Sequence, residues 1–150
     1  MHNVRRIIKH MKKTTIIIGE SASISKEIVD KFGIVVVPFI VEWPDEKNLS
    51  GNNIFEKMRD AEKRGIKTTP KTSQPSIGIF KKAYDEALTN SESVICITIS
   101  SAISGTYNSA IQAKKMLDEE KQNRIFVLDS YNADASESLH AIKTAELIEE

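Results

Sequence analysis

Hydroxyl groups and free backbone N–H groups dominate the segments of this sequence that could do chemistry. Three such segments each follow a short apolar run. They are Gly19-Glu20-Ser21-Ala22-Ser23, Ser100-Ser101-Ala102-Ile103-Ser104-Gly105-Thr106 and Asp129-Ser130. A glycine at a helix start exposes N–H groups at the positive end of the helix dipole, and these favour an anion. Serine and threonine add neutral donors, which suits a carboxylate or phosphate held without a strong counter-charge. Ser104 can equally serve only as a cap of the following helix. Glu20 and Asp129 could form a carboxylate pair across adjacent strand ends, although such acids more often bind backbone N–H groups.

Other chemistries lack their residues. The sequence has no Gly-x-Gly-x-x-Gly, no Walker loop and no Gly-x-Ser-x-Gly elbow. Histidine occurs at His2, His10 and His140, with no pair at metal-ligand spacing, so no metal site is expected. The single cysteine, Cys96, lies in the apolar run Val94-Ile95-Cys96-Ile97 and reads as a small buried hydrophobe. No nucleophile–base pair is apparent, and no cofactor is expected.

The elements that position these loops follow from apolar periodicity. Thr14–Ile18 reads as a buried strand that stops at Gly19. Ser25 caps a helix through Phe32, which Gly33 ends. Ile34–Val37 is a second strand, interrupted by Pro38 and continued by Phe39-Ile40-Val41. Residues 44–52 form a surface loop. Asn53 and Glu56 form a capping box for a helix burying Ile54, Met58 and Ala61 and ending at Gly65. Residues 66–75, with four hydroxyls and two prolines, are expected to be irregular. Ser76 caps a helix carrying Ile77, Phe80, Tyr84, Ala87 and Leu88 at helical spacing. Val94–Ile99 is a third strand. A helix with Thr106, Ala110, Ala113 and Leu117 on one face follows. Arg124–Leu128 is a fourth strand, and Ser136 or Ser138 starts the last helix. Strands alternating with helices imply an α/β fold, a mostly parallel sheet of about four strands with helices on both faces. Ligand sites in such sheets lie at the carboxyl ends of the strands, where the hydroxyl-rich loops fall.

Composition bounds the partners. The 150 residues carry 21 Lys+Arg and 21 Asp+Glu, a net charge of zero, so no basic field exists to hold nucleic acid. No apolar run approaches the roughly 20 residues that span a bilayer, and no signal-peptide pattern is present. With one cysteine, a cytoplasmic location is expected. Residues 1–13 read as a basic tail, with Met11 a natural start, and residues 14–150 as one domain.

Two segments, Pro70-Lys71-Thr72-Ser73-Gln74-Pro75-Ser76 and Ile99-Ser100-Ser101-Ala102-Ile103-Ser104-Gly105-Thr106-Tyr107-Asn108-Ser109-Ala110, resemble the paired signatures of the DegV family. Val36-Val37-Pro38 and Leu128-Asp129-Ser130 fall where its other landmarks lie. The resemblance covers about residues 14–150 and implies the N-terminal domain of a fatty-acid-binding protein. By motif match, Thr72 and Ser104 would contact the ligand carboxylate, while Ser73, Ser101, Gly105, Thr106 and Ser21 would shape the pocket. The acyl chain would follow an apolar path near Ile103, Phe39, Ile77 and Phe80. Some family members present the fatty acid to a kinase and perform no chemistry themselves.

Three departures stand out. The family is about twice this long, and its second domain closes the pocket and supplies a histidine. This sequence stops at Glu150, about where that domain would begin, as expected of a truncated or naturally short member. Glu20-Ser21 replaces an Asp-Ser turn. Asn132-Ala133-Asp134-Ala135-Ser136-Glu137-Ser138 has serines where the family has glycines, so Ser138 could simply cap the last helix. A half-tunnel would expose apolar surface, so a homodimer is expected. The rival readings are a small α/β phosphate-ligand binder or phosphotransfer-type enzyme using Ser104-Gly105-Thr106, and a scaffold without a small ligand.

Overall fold

The computed structural model describes residues 12–149, in two compact units: residues 12–39 with 74–149, and residues 40–73. The basic cluster at residues 5–10, His2, His10 and Met11 lie outside the described residues. The first unit is built on the strands β1 (Lys12–Gly19), β2 (Val35–Val37), β5 (Ser91–Thr98) and β6 (Ile125–Asp129). They form a four-stranded parallel sheet in the order β2-β1-β5-β6. β1 begins two residues before the strand expected at Thr14.

Alternation along β1 sorts its side chains between the two faces of the sheet. Ile17 joins Val37, Phe80, Tyr84, Val94, Cys96, Ala110 and Ile125. That layer is closed by α3 (Ile77–Asn90) and α4 (Thr106–Lys115). Ile16 and Ile18 join Ile34, Ile97, Ala141 and Ala145 on the other face, under α1 (Lys26–Phe32) and α6 (Ala135–Glu149). Removing one such isoleucine from water is worth about 1.5–3 kcal/mol, so the apolar run around Ile17 binds both layers. A four-residue helix, α5 (Glu119–Gln122), leads into β6. The edge strand β6 buries Ile125 but leaves Phe126 and Leu128 exposed.

Local capping follows the sequence closely. The Ser25 and Ser76 hydroxyls accept from the N–H groups of Ile28 (3.4 Å) and Ile79 (3.3 Å). Gly33 adopts φ 59°, a left-handed conformation that glycine takes without strain, and ends α1. Before α2 (Ile54–Lys63), Asn53 Oδ1 accepts from Glu56 N–H at 2.9 Å. The returning bond comes from Asn52 N–H to Glu56 Oε2 (2.7 Å), one residue earlier than in a standard capping box.

Several expectations need correction. Phe39-Ile40-Val41 does not continue the second strand. β2 ends at Val37 because Pro38 has no N–H for the ladder, and the Phe39 N–H is taken by Glu20 Oε2 at 3.1 Å. Ile40–Glu42 is a separate strand, β3, and Lys71–Ser73 is its antiparallel partner β4, inside the segment expected to be irregular. The prolines there flank the strand at positions 70 and 75, so residues 71–73 keep their backbone donors. Met58 is exposed, because the second unit buries only Trp43, Leu49 and Ala61 in its small core, with Ile54 and Ile66 packed against it. The last helix begins at Ala135, before Ser136, and Ser138 does not cap it. Ser138 is buried, and its hydroxyl donates to the Ala135 carbonyl at 2.8 Å.

Candidate ligand-binding site

The residues singled out in the first unit gather at the carboxyl ends of its strands. Ser21 lies in a single 3₁₀ turn (Glu20–Ala22) directly after β1. Ser101, Ser104, Gly105 and Thr106 lie between the end of β5 and the first residue of α4. The loop folds on itself. Ser100 N–H donates to Asn132 O (2.8 Å), and the N–H groups of Ile103 and Ser104 donate back to Ser100 O at 3.2 Å each.

Ser104 is more than a cap. Its Oγ accepts from Thr106 N–H at 3.2 Å and lies 2.8 Å from Thr106 Oγ1. Thr106 is buried and must place its hydroxyl proton on an acceptor. Either hydroxyl can be the donor of this bond, and when Thr106 donates, the Ser104 proton is left for an outside partner. The N–H groups of the first turn of α4 lie beside it, where a helix has no internal acceptors to offer.

Gly105 has φ −76°, so its glycine is not required by backbone conformation. What it offers is space for a neighbouring side chain. A Cβ there would fall 2.3–2.6 Å from the side-chain amide of Gln74, which donates to Ser109 Oγ at 3.2 Å. Gln74 therefore fastens the end of one signature segment to the other. Sequence alone assigns Gln74 no role. Its visible signal is a large polar side chain in one signature and a glycine in the other.

Asp129 and Glu20 do not pair. β5 lies between β1 and β6, so their strand ends are not adjacent. Glu20 holds the Phe39 N–H. Burial pushes the Asp129 carboxyl up. The Ser101 hydroxyl and the N–H groups of Tyr131 (3.0 Å) and Ser101 (3.2 Å) outweigh it and hold Asp129 below the usual carboxylate range. Ser101 thus supports the loop from within.

A second acid was not expected at the site. Glu137, in the first turn of α6, is fully buried. Its Oε2 accepts from Ser21 Oγ at 2.9 Å, and its Oε1 has no hydrogen-bond partner. The signal was present: Glu137, Ala141 and Ala145 form a buried i, i+4 stripe that carries an acid at its start. The serines at 136 and 138 cause no strain, since both are helical. The left-handed positions nearby are Tyr131 (φ 53°) and Asp134 (φ 54°).

The remaining candidates divide as follows. Thr72 and Ser73 lie on β4 in the second unit, both exposed, opposite Val41 and Ile40. That unit also has an apolar groove of about 450 Å³ lined by Trp43, Phe55, Met58, Ile66 and Pro70. Phe80, expected along the acyl path, is enclosed in the core with its ring 6.1 Å from that of Tyr84. Ile77 and Ile103 are exposed. His140 is exposed on α6, with Nδ1 2.8 Å from the Ser136 carbonyl oxygen. Cys96 is buried, and burial pushes its thiol up to about 12, consistent with an inert hydrophobe. Among the described residues no group of acids, histidines or cysteines could hold a metal ion, and no helix is long and apolar enough to cross a membrane.

A family model for uncharacterised proteins of the DegV family matches residues 13–150. The chain belongs to the DegV family. A DegV domain-containing protein of Clostridium perfringens is 36% identical over 140 residues, 93% of this chain and 49% of the relative. A fatty acid-binding protein of Thermotoga maritima is 32% identical over 145 residues, 91% of this chain and 47% of the relative. The crystal structure of DegV, a fatty acid-binding protein from Bacillus subtilis, superimposes with a TM-score of 0.75 at 30% identity. That match covers 93% of this chain and 48% of the other. This DegV chain spans about half the length of the curated relatives it matches.

Proposed function

We propose that this chain is a fatty-acid carrier domain that performs no chemistry of its own. The carboxylate of a long-chain fatty acid is received by the hydroxyls of Ser104 and Thr72, and Ser73, Ser21, Ser101, Gly105 and Thr106 shape the surroundings. The observation that carries this reading is the Ser104–Thr106 pair. The Thr106 N–H takes up one acceptor site on Ser104, and with the buried Thr106 hydroxyl donating as well, the Ser104 proton is left beside the start of α4. A neutral donor next to unpaired N–H groups fits a single negative charge. Relatives named for fatty-acid binding support the choice of anion.

In the same reading the carrier works in the cytoplasm and offers its ligand to a fatty acid kinase. It self-associates through apolar surface such as Phe126 and Leu128, which are exposed on the edge strand β6. Native mass spectrometry with added oleate tests the ligand. A one-to-one complex that Ser104→Ala and Thr72→Ala each weaken supports the reading, and absence of any complex overturns it. Thermal stabilisation by sugar phosphates but not by fatty acids would favour a phosphate ligand at Ser104-Gly105-Thr106 instead. Sedimentation of the purified chain as a monomer at micromolar concentration would remove the homodimer.

A further inference from the structure

Glu137 is a buried acid with an unsatisfied oxygen, placed against a serine at the end of a strand. β1, the turn at Glu20–Ala22 and β5 make the main packing against α6, with Ile28 and Phe32 of α1, both apolar, in the same cluster. β1 presents Gly19, where an added Cβ would lie 2.9 Å from Ser21 Oγ and 3.8 Å from Glu137 Oε1. The turn presents Ser21, while the Glu20 carboxylate is engaged by Phe39 N–H. β5 turns Ile97 to this face and presents no titratable group there, since Cys96 belongs to the other layer. α6 itself contributes His140, and farther along the pair Lys143–Glu146. Among the described residues no lysine or arginine forms an ion pair with Glu137.

The direction of one hydrogen bond follows from these facts. While Glu137 is ionised it can only accept, so Ser21 must spend its hydroxyl proton on Oε2. Ser21 then shows only lone pairs to anything outside, which repel an anion. Once Glu137 carries a proton, it can donate to Ser21 Oγ, and the Ser21 proton is released. Protonation also removes the cost of a buried charge, which the Ser21 hydroxyl and the Gly19 backbone offset only in part.

Resting on the fatty-acid reading above, we propose that Glu137 takes up one proton from solvent when a ligand carboxylate binds at the strand ends, so that Ser21 turns its hydroxyl from Glu137 to the ligand. The step forms one O–H bond on Oε2 and exchanges one hydrogen bond for another, with no covalent change in the ligand. Burial already pushes this carboxyl up to about 7, against the opposing effects of the Ser21 hydroxyl, the Gly19 backbone and the His140 charge. A second negative charge nearby would raise it further. Ser21 and Glu137 are thus positioning partners, with Glu137 setting what Ser21 can offer.

The test is oleate binding to the full chain and to Glu137→Gln, by calorimetry at about pH 8 in buffers of different ionisation heat. Wild type is expected to take up close to one proton, and its affinity to fall by up to about tenfold per pH unit above neutrality. Glu137→Gln is expected to bind without that uptake and with a flatter pH profile. Equal proton uptake in both proteins, or none in wild type, overturns the proposal and leaves the fatty-acid reading intact. Failure of either protein to bind oleate at any pH overturns the fatty-acid reading, and this inference with it. Should the variant not fold, the carboxyl resonance of Glu137 in wild type decides by NMR. Its titration midpoint should rise on adding oleate, and an unmoved midpoint overturns the proposal.

Discussion

The two strand ends β1 and β5 carry the same kind of residue and prepare it in opposite ways. After β5, Ser104 is backed by a buried threonine whose N–H donates to it and whose hydroxyl can donate as well, which leaves the Ser104 proton free. After β1, Ser21 is backed by a buried acid that takes its proton. Both are half-buried serines in short loops at the same edge of one sheet. A hydroxyl in a strand-end loop is therefore not yet an anion contact. What stands behind it decides whether it faces a ligand as a donor or as an acceptor.

Four measurements would break or sharpen this contrast. The largest effect belongs to the acid behind Ser21. Its folded carboxyl sits at about 7, above the ordinary glutamate value of 4.5. A raised acid binds its proton more tightly in the folded chain, so its favourable contribution is complete below the unfolded value and is lost as pH rises through about 7. Wild type should lose up to about 3 kcal/mol of stability between about pH 5 and pH 8, and Glu137→Gln should lose far less. Urea unfolding of both proteins at the two pH values checks this, and parallel losses would mean that the acid is not the cause.

Next comes the serine with the free proton. Ser104→Ala should cost about 1.5–3 kcal/mol in oleate affinity, roughly ten- to a hundredfold, because it removes a hydrogen bond to a charged group. The same variant should unfold at nearly the wild-type denaturant midpoint. Third is the junction that holds the β5 loop in place. Gly105→Ala places a Cβ within 2.6 Å of the Gln74 amide carbon. Because only the flexible end of Gln74 must move aside, it should destabilise the protein by no more than about 1 kcal/mol, and pairing it with Gln74→Ala should remove that loss. The smallest effect is expected at Ser21. Ser21→Ala should change oleate affinity by less than about threefold near pH 8.5 and by more near pH 6, where Glu137 no longer takes its proton. A large loss at high pH would show that the two strand ends are alike after all.

The contrast also separates what the sequence makes legible from what it hides. Ser25, Asn53, Ser76 and Gly33 were legible because caps act within three or four residues of chain. The parallel sheet was legible because Ile16-Ile17-Ile18 and Val94-Ile95-Cys96-Ile97 are apolar on both faces, as a sheet covered on two sides requires. β4 was hidden because Lys71-Thr72-Ser73 has a turn-like composition, and its partner Ile40–Glu42 lies far earlier in the chain. The separation of Glu20 from Asp129 was hidden because strand order is a property of the whole sheet. The site hydroxyls could be named from the sequence. Their directions could not, because Thr106, Gln74 and Glu137 act on them through distances that only the folded chain sets.

The single cysteine gives the fold an internal clock. Cys96 is fully enclosed between the sheet and α3, in register with Ile17 near the carboxyl end of the β1–β5 pair. A thiol reagent can reach it only when the helical layer over that face lifts from the sheet. The rate at which it is alkylated in native buffer therefore counts openings of that core layer. Fraying of the loops that carry Ser21 and Ser104 would leave that rate unchanged.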